Sequence, residues 1–288
     1  MGGALPAATA MGPVHLTVAD LERSLAYYRD AVGLEAIGRD GDRAMLGAGG
    51  RQLLVLVEEP GARPVRRHTG LYHFALLLPE RADLARWLAH AVRERVPLVG
   101  LSDHFVSEAA YLADPDGHGI EIYADRPREV WEGRVMERMT TEPLDVGSLL
   151  VELDDPATAP FDGLAAGTRM GHVHFQVADT AATTAFYRDA LGFELMAELP
   201  GSAVFLAAGG YHHHVGANVW QSRDATPPPP GTAALRHATI LLPDDAERDR
   251  TAERAAAAGS EPAPHPGGIL VRDPSGIGLV LATANGSG

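Results

Sequence analysis

Apolar residues along the chain follow one pattern that returns four times. Val14 to Val18 reads as a strand, and the run 21–32 then places Leu21, Leu25, Tyr28 and Val32 at spacings of four, three and four. That spacing is one buried stripe of a helix. Asp20 stands at the N-cap position and Gly33 where the helix should stop. Short strands over 44–46 and 53–57 follow, so the unit is β-α-β-β-β. The same order predicts strands 71–78, 109–113 and 119–123 around a helix at 82–92. It returns at 170–220, and again with strands 238–242, 269–272 and 278–282 around a helix at 246–258. Asp114-Pro115-Asp116-Gly117 and Asp273-Pro274-Ser275-Gly276 are matching turns before the last strands of modules two and four.

The third module opens on Gly171-His-Val-His-Phe-Gln-Val-Ala-Asp179, a near copy of Gly12-Pro-Val-His-Leu-Thr-Val-Ala-Asp20. Repetition of this kind predicts four modules of one α+β type, pairing into two barrel-like cups. The expected organisation is an N-terminal domain over 12–126, a linker over 127–169 carrying Trp131, and a C-terminal domain over 170–284. Pro227 to Pro230 make a stiff spacer between modules three and four. Residues 1–11 have no period and read as a loose leader.

Bulk properties narrow the function. Net charge is 24 − 38 = −14, which argues against nucleic acid or an anionic membrane surface as partner. There is no cysteine, so thiolate metal sites and cysteine nucleophiles are excluded. No apolar run of membrane-spanning length and no signal peptide is evident, and a cytoplasmic location is expected.

Aligning the first strands singles out one histidine position. His73, His172 and His237 each lie five residues before the last apolar residue of their strand, Leu78, Val177 and Leu242; module one has Pro13 there. A lone histidine early in a strand is most often structural, and His174, matched only by His15, is read that way. In module two Glu121 interrupts an apolar strand, and Tyr111 stands on the strand before it; module four has Val280 and Leu270 instead. A buried carboxylate is costly unless paired or metal-bound. Two histidines with one carboxylate make a facial triad suited to non-haem Fe(II) and oxygen chemistry. His73 and Glu121 come from module two, and the missing histidine can come from module three as His172. Modules two and three are therefore expected to share one cup, leaving one and four to form an inactive one. Tyr211-His212-His213-His214 is expected to begin the last strand of module three and to offer a proton-transfer imidazole. Trp220, Asn218 and Phe105 are candidates for the cup wall, each equally explicable as packing.

These residues resemble the vicinal oxygen chelate superfamily, with its glyoxalase/bleomycin-resistance/dioxygenase fold, and within it the type I extradiol ring-cleaving dioxygenases of the two-domain catechol 2,3-dioxygenase kind. The pieces that carry the resemblance are the stretch from Ser102 to Pro127, the stretch from Gly210 to Ser222, and the polyproline run with Leu235-Arg-His237. The resemblance implies metal ligands at His73, His172 and Glu121, a substrate-holding tyrosine at Tyr111, and an acid–base histidine at His213, with His212 and His214 as competitors. His104 matches a further pocket histidine loosely. It implies Fe(II), with Mn(II) as the alternative, a small aromatic diol and O2 as substrates, and a homo-oligomer joined at sheet edges. The departure is that better-known members carry all three ligands in the C-terminal half, which Val280 and Leu270 exclude here. Two rivals remain: a glyoxalase- or isomerase-type metalloenzyme of the same fold, and a small-molecule-binding protein without catalysis.

Overall fold

The computed structural model describes residues 3–283, and the 284 boundary expected for the second domain lies outside them. Module one comprises β1 (Val14–Val18), α1 (Leu21–Tyr27), β2 (Glu35–Asp40), β3 (Arg43–Ala48) and β4 (Arg51–Glu58). Module two comprises β5 (Gly70–Leu77), α2 (Arg81–Arg93), β6 (Gly100–Asp103), β7 (Ser107–Ala113) and β8 (Gly119–Asp125). Three short helices follow: α3 (Arg128–Trp131), α4 (Val135–Arg138) and α5 (Val146–Leu150). Module three comprises β9 (Arg169–Gln176), α6 (Thr180–Thr184), β10 (Glu194–Leu199), β11 (Ala203–Ala207) and β12 (Val215–Asn218). Module four comprises β13 (Leu235–Leu242), α7 (Asp245–Ala257), β14 (Ala263–His265), β15 (Gly268–Arg272) and β16 (Gly278–Thr283).

The strands form two nine-stranded sheets, each shared between the halves of the chain. One runs β14-β15-β16-β13-β1-β4-β3-β2 and unites modules four and one. The other runs β6-β7-β8-β5-β9-β12-β11-β10 and unites modules two and three, with residues 142–143 beyond β6. The seams are the antiparallel pairs β13–β1 and β5–β9. Within each half, modules are tied through their helices. Tyr28 Oη, just past α1, donates to Asp114 Oδ2 at 2.9 Å, and Tyr187 Oη donates to Asp273 at 3.3 Å. Both aspartates also accept backbone N–H groups of their own Asp-Pro turns, which closes those turns onto the neighbouring module.

Asp20 caps α1 by accepting the Arg23 N–H at 2.9 Å. The helix then widens into a π-turn over Tyr28–Val32 and stops at Gly33, whose φ of +90° suits glycine. Module three repeats this, with Ala185–Leu191 and Gly192. The outlying strands β2, β6 and β14 lack an apolar alternation because they lie at or near the sheet margins, where β2 and β14 are mostly exposed and β6 is only half-buried. The leader is not loose over the described part. Ala10–Met11 pairs with β13, the Leu5 N–H reaches Gly192 O at 2.8 Å, and Leu5 and Met11 are buried. Two apolar anchors and a short ladder hold a stretch that has no period of its own. No helix among the described residues is long and apolar enough to cross a membrane.

Candidate metal centre

Side chains alternate along a strand, so β8 sends Glu121, Tyr123 and Asp125 to one face. Parallel pairing sets Gly119 opposite His73 and Glu121 opposite Ala75. Across the seam on the other side of β5, His172 is also opposite Ala75, and His174 is opposite His73. The small Ala75 side chain thus lies between two larger ones, which leaves them room to converge. Glu121 Oε2 is 3.0 Å from His73 Nε2 and 3.1 Å from His172 Nε2, and the two imidazole nitrogens are 3.3 Å apart. Among the described residues this is the only such group whose ligand atoms all lie within 4.8 Å of one another. Metal bonds of about 2.1 Å put cis ligands of an octahedron roughly 3 Å apart, so the donor set fits three cis positions around one ion. All three residues are buried.

The register around the site is irregular on purpose-built positions. β9 bulges at Gly171, between Met170 and His172. A bulge re-aims the side chain beside it. A Cβ on Gly171 would lie 1.8 Å from the hydroxyl of the fully buried Tyr123. Gly171→Ala must therefore displace the buried Tyr123 ring or β9 itself, and β9 carries His172. We expect a loss of about 1–3 kcal/mol in thermal stability and weakened metal binding, read by denaturation and by metal titration.

Electrostatics suit a metal. Burial would push the Glu121 carboxyl up, but His172 and His73 outweigh it and hold the carboxyl well below the usual range. Burial pushes the His172 imidazole down against the raising effect of Glu121. The His172 ring thus favours its neutral, ligating form. His172 Nδ1 is buried without a protein partner, so the ring is oriented by packing against His213 and Tyr123, at centroid distances of 4.0 and 5.0 Å.

Of the four candidate catalytic residues, the structure brings Tyr111 and His213 against the triad. Tyr111 is the cross-strand partner of Glu121, with its ring 5.5 Å from His73. Burial and then the Glu121 charge push its phenol well up, so it stays protonated. Its Oη lies 2.7 Å from Nε2 of His104, whose Nδ1 lies 2.7 Å from the Thr140 carbonyl. His213 packs against His172 with the rings tilted by 44°, and burial keeps its imidazole well below the ordinary value. His212 lies one layer back, 2.8 Å from both Asp125 Oδ1 and His213 Nδ1. His214 turns elsewhere: its Nδ1 accepts the Ala208 N–H at 3.2 Å, and burial lowers its pKa to about 3. The histidine run precedes the strand, which begins only at Val215. Irregular backbone there lets adjacent His212 and His213 touch, as neighbours on a strand could not.

His174 also faces this cup, accepting from Asn218 Nδ2 at 3.0 Å, with the Trp220 ring tilted against it at 5.8 Å. Phe105 is not in the wall; it packs under the Arg138 guanidinium with the Trp131 cluster. A cleft of about 540 Å³ reaches His73, Tyr111 and Tyr72 from outside. The residues that sequence reasoning missed are Gly171, Tyr123, Asp125 and the supporting part of Trp131. The period-two spacing from Glu121 was the available signal for Tyr123 and Asp125; nothing local marked Gly171.

The other cup keeps the same seam but not the chemistry. His237 lies opposite His15, the ring centroids 4.0 Å apart, as His73 lies opposite His174. Burial lowers the pKa of His15 to about 4 and of His237 to about 3. With Pro13, Val280 and Leu270 in the remaining places, this cup has neither the second inward histidine nor the carboxylate.

Paired βαβββ modules with one histidine–carboxylate cup define the class, and the comparisons agree with it. Residues 10–122 and 169–281 match the Glyoxalase/Bleomycin resistance protein/Dioxygenase superfamily, and the chain belongs to it. It is 42% identical over 274 residues to a catechol-2,3-dioxygenase of Bacillus subtilis (strain 168), covering 92% of this chain and 94% of that relative. Solved structures sharing the fold include glyoxalase I from Zea mays, with a TM-score of 0.60, 18% identity and coverage of 97% and 94% of the two chains. The cppA protein from Streptococcus pneumoniae TIGR4 gives a TM-score of 0.56 at 13% identity, over 96% and 97%. At such identities the likeness is one of fold.

Proposed function

We propose that the protein is a metal-dependent extradiol ring-cleaving dioxygenase that acts on a catechol-type aromatic with O2. The observation that carries this is the convergence of His73 Nε2, His172 Nε2 and Glu121 Oε2 beside Tyr111 and His213. Its likeness to the Bacillus subtilis catechol-2,3-dioxygenase supports it. Fe(II), with Mn(II) as the alternative, would be held by those three atoms; when bound it supplies chelation of the two ring oxygens and electron transfer between the ring and O2.

The chain's own residues do the rest. The Thr140 carbonyl only accepts, so Nδ1 of His104 carries a hydrogen; with that single hydrogen on the ring, Nε2 accepts from Tyr111 O–H. That leaves the Tyr111 oxygen lone pairs free to accept a hydrogen bond from a substrate hydroxyl arriving through the cleft. In this reading His213 takes a proton from the diol and returns it as the ring opens. Burial of the triad and of His213 excludes water from the reacting centre. Both atoms of O2 enter the ring-opened semialdehyde or acid, so no further reductant is consumed.

The presence of a single carboxylate in the group favours this reading over glyoxalase- or isomerase-type chemistry, which usually needs a second one. The test is anaerobic Fe(II) reconstitution followed by O2 uptake with a panel of catechols. Uptake stoichiometric with a yellow ring-opened product is expected. A metal-loaded protein that consumes no O2 with any catechol would exclude the assignment.

A further inference from the structure

We propose that Asp125 is a positioning residue: through His212 it fixes His213 in the tautomer that leaves Nε2 as the lone-pair nitrogen. The proposal rests on the reading of His213 as the proton-transfer group, and it adds two residues behind it.

The argument is one of donor and acceptor accounting along a chain of contacts. A carboxylate only accepts. Asp125 Oδ1 lies 2.8 Å from His212 Nε2, so Nε2 carries the hydrogen. With one hydrogen on the ring, already placed on Nε2, the His212 lone pair lies on Nδ1. That atom lies 2.8 Å from His213 Nδ1, which must therefore be the donor. The remaining nitrogen of His213, Nε2, is left with the lone pair.

Each link is held in place. Asp125 also accepts from Tyr211 Oη, at 3.0 Å to Oδ2 and 3.3 Å to Oδ1, and Tyr211 is bonded to Tyr123 at 2.8 Å. His212 is fully buried, with the Tyr211 ring at 4.0 Å and the edge of Trp131 at 5.4 Å, and a flipped ring would lose both of its nitrogen contacts. His213 is fitted between His172 and Phe205. Asp125 sits four residues after Glu121 on the same strand face, so one rigid strand carries both the ligand carboxylate and the positioning carboxylate. A second-tier carboxylate that sets an imidazole tautomer is a recurring device, and its loss leaves the fold intact while misplacing a proton.

Asp125→Asn tests this with little change of shape. Tyr211 O–H keeps the amide oxygen, so the amide nitrogen faces His212 Nε2 as a donor and the hydrogen order along the chain reverses. With Fe(II)-loaded full-length protein, kcat for a catechol is expected to fall on the order of 100-fold, with KM and iron content unchanged. Independently, ¹⁵N NMR of the full-length metal-free protein should show His212 protonated at Nε2 and His213 at Nδ1. In the variant the His213 hydrogen should move to Nε2. A wild-type His213 protonated at Nε2 overturns the proposal, as does a variant with wild-type kcat. If Asp125→Asn does not fold, the wild-type spectrum alone decides. If wild-type iron-loaded protein turns over no catechol, the dioxygenase reading fails while the tautomer assignment still stands or falls on the spectrum.

Discussion

Glu121→Ala is expected to give a folded chain that retains no iron and cleaves no catechol. The substitution removes the only anionic donor of the proposed centre and leaves two imidazole nitrogens 3.3 Å apart. Changes one shell further out already cost about 10–100-fold in metal affinity, so loss of the carboxylate itself should exceed about 100-fold on the same scale. The fold should survive, because Glu121 is not a packing anchor. Its charge sits in a buried place where only His73 and His172 offset the cost of leaving water. Removing it from the metal-free chain takes away a desolvation cost along with the attraction. Metal content per chain, measured beside the thermal midpoint, separates the two effects. Normal iron content with normal turnover in Glu121→Ala would falsify the ligand assignment. A protein that loses iron and also fails to fold would instead move the test to Glu121→Gln, which keeps the volume and removes the charge.

Much of the fold was legible because the same module is written four times. The stripe Leu21, Leu25, Tyr28 and Val32, the Asp20 cap and the two Asp-Pro turns each follow from local rules that distant contacts reinforce. Comparison between modules did more than any single motif. The contrast of Glu121 with Val280 and of His172 with Pro13 pointed to modules two and three as partners, and the sheet joins those modules. What stayed hidden depends on contacts that no local pattern records. The margin strands β2, β6 and β14 bury too little of either face to impose an alternation. The bulge at Gly171 matters only because Tyr123 arrives from β8. His212 and His213 could not be separated by spacing, since they lie on irregular backbone before the strand. The packing of His213 on His172 and the approach of Asp125 to His212 show their different places.

Residues 1–126 expressed alone are expected to bind no iron at this centre. That half retains His73, Glu121 and Tyr111 but lacks His172 and His213, so two of the three ligating atoms remain. The loss goes beyond one ligand. Cutting the chain removes β9 from the side of β5 and β13 from the side of β1, so both sheets lose half their strands at once. β5 and β1 are mostly buried strands, and their backbone donors and acceptors would become open edges. Such edges recruit any strand available, so the isolated half should self-associate or precipitate. Co-expression with residues 127–288 should restore both seams, a soluble complex, and one iron per pair of fragments. Fragment solubility, fragment mass in solution and metal content report the three consequences separately. One iron per chain in a soluble, monomeric 1–126 fragment would show that module two completes a centre without module three, and the shared-cup reading would fall. The reasoning runs from topology to chemistry: chain order places modules one and two together, but hydrogen-bonded strand order places two with three. A metal centre built across a strand seam makes ligand binding and association of the halves one equilibrium, so iron should stabilise the intact protein in proportion to its affinity.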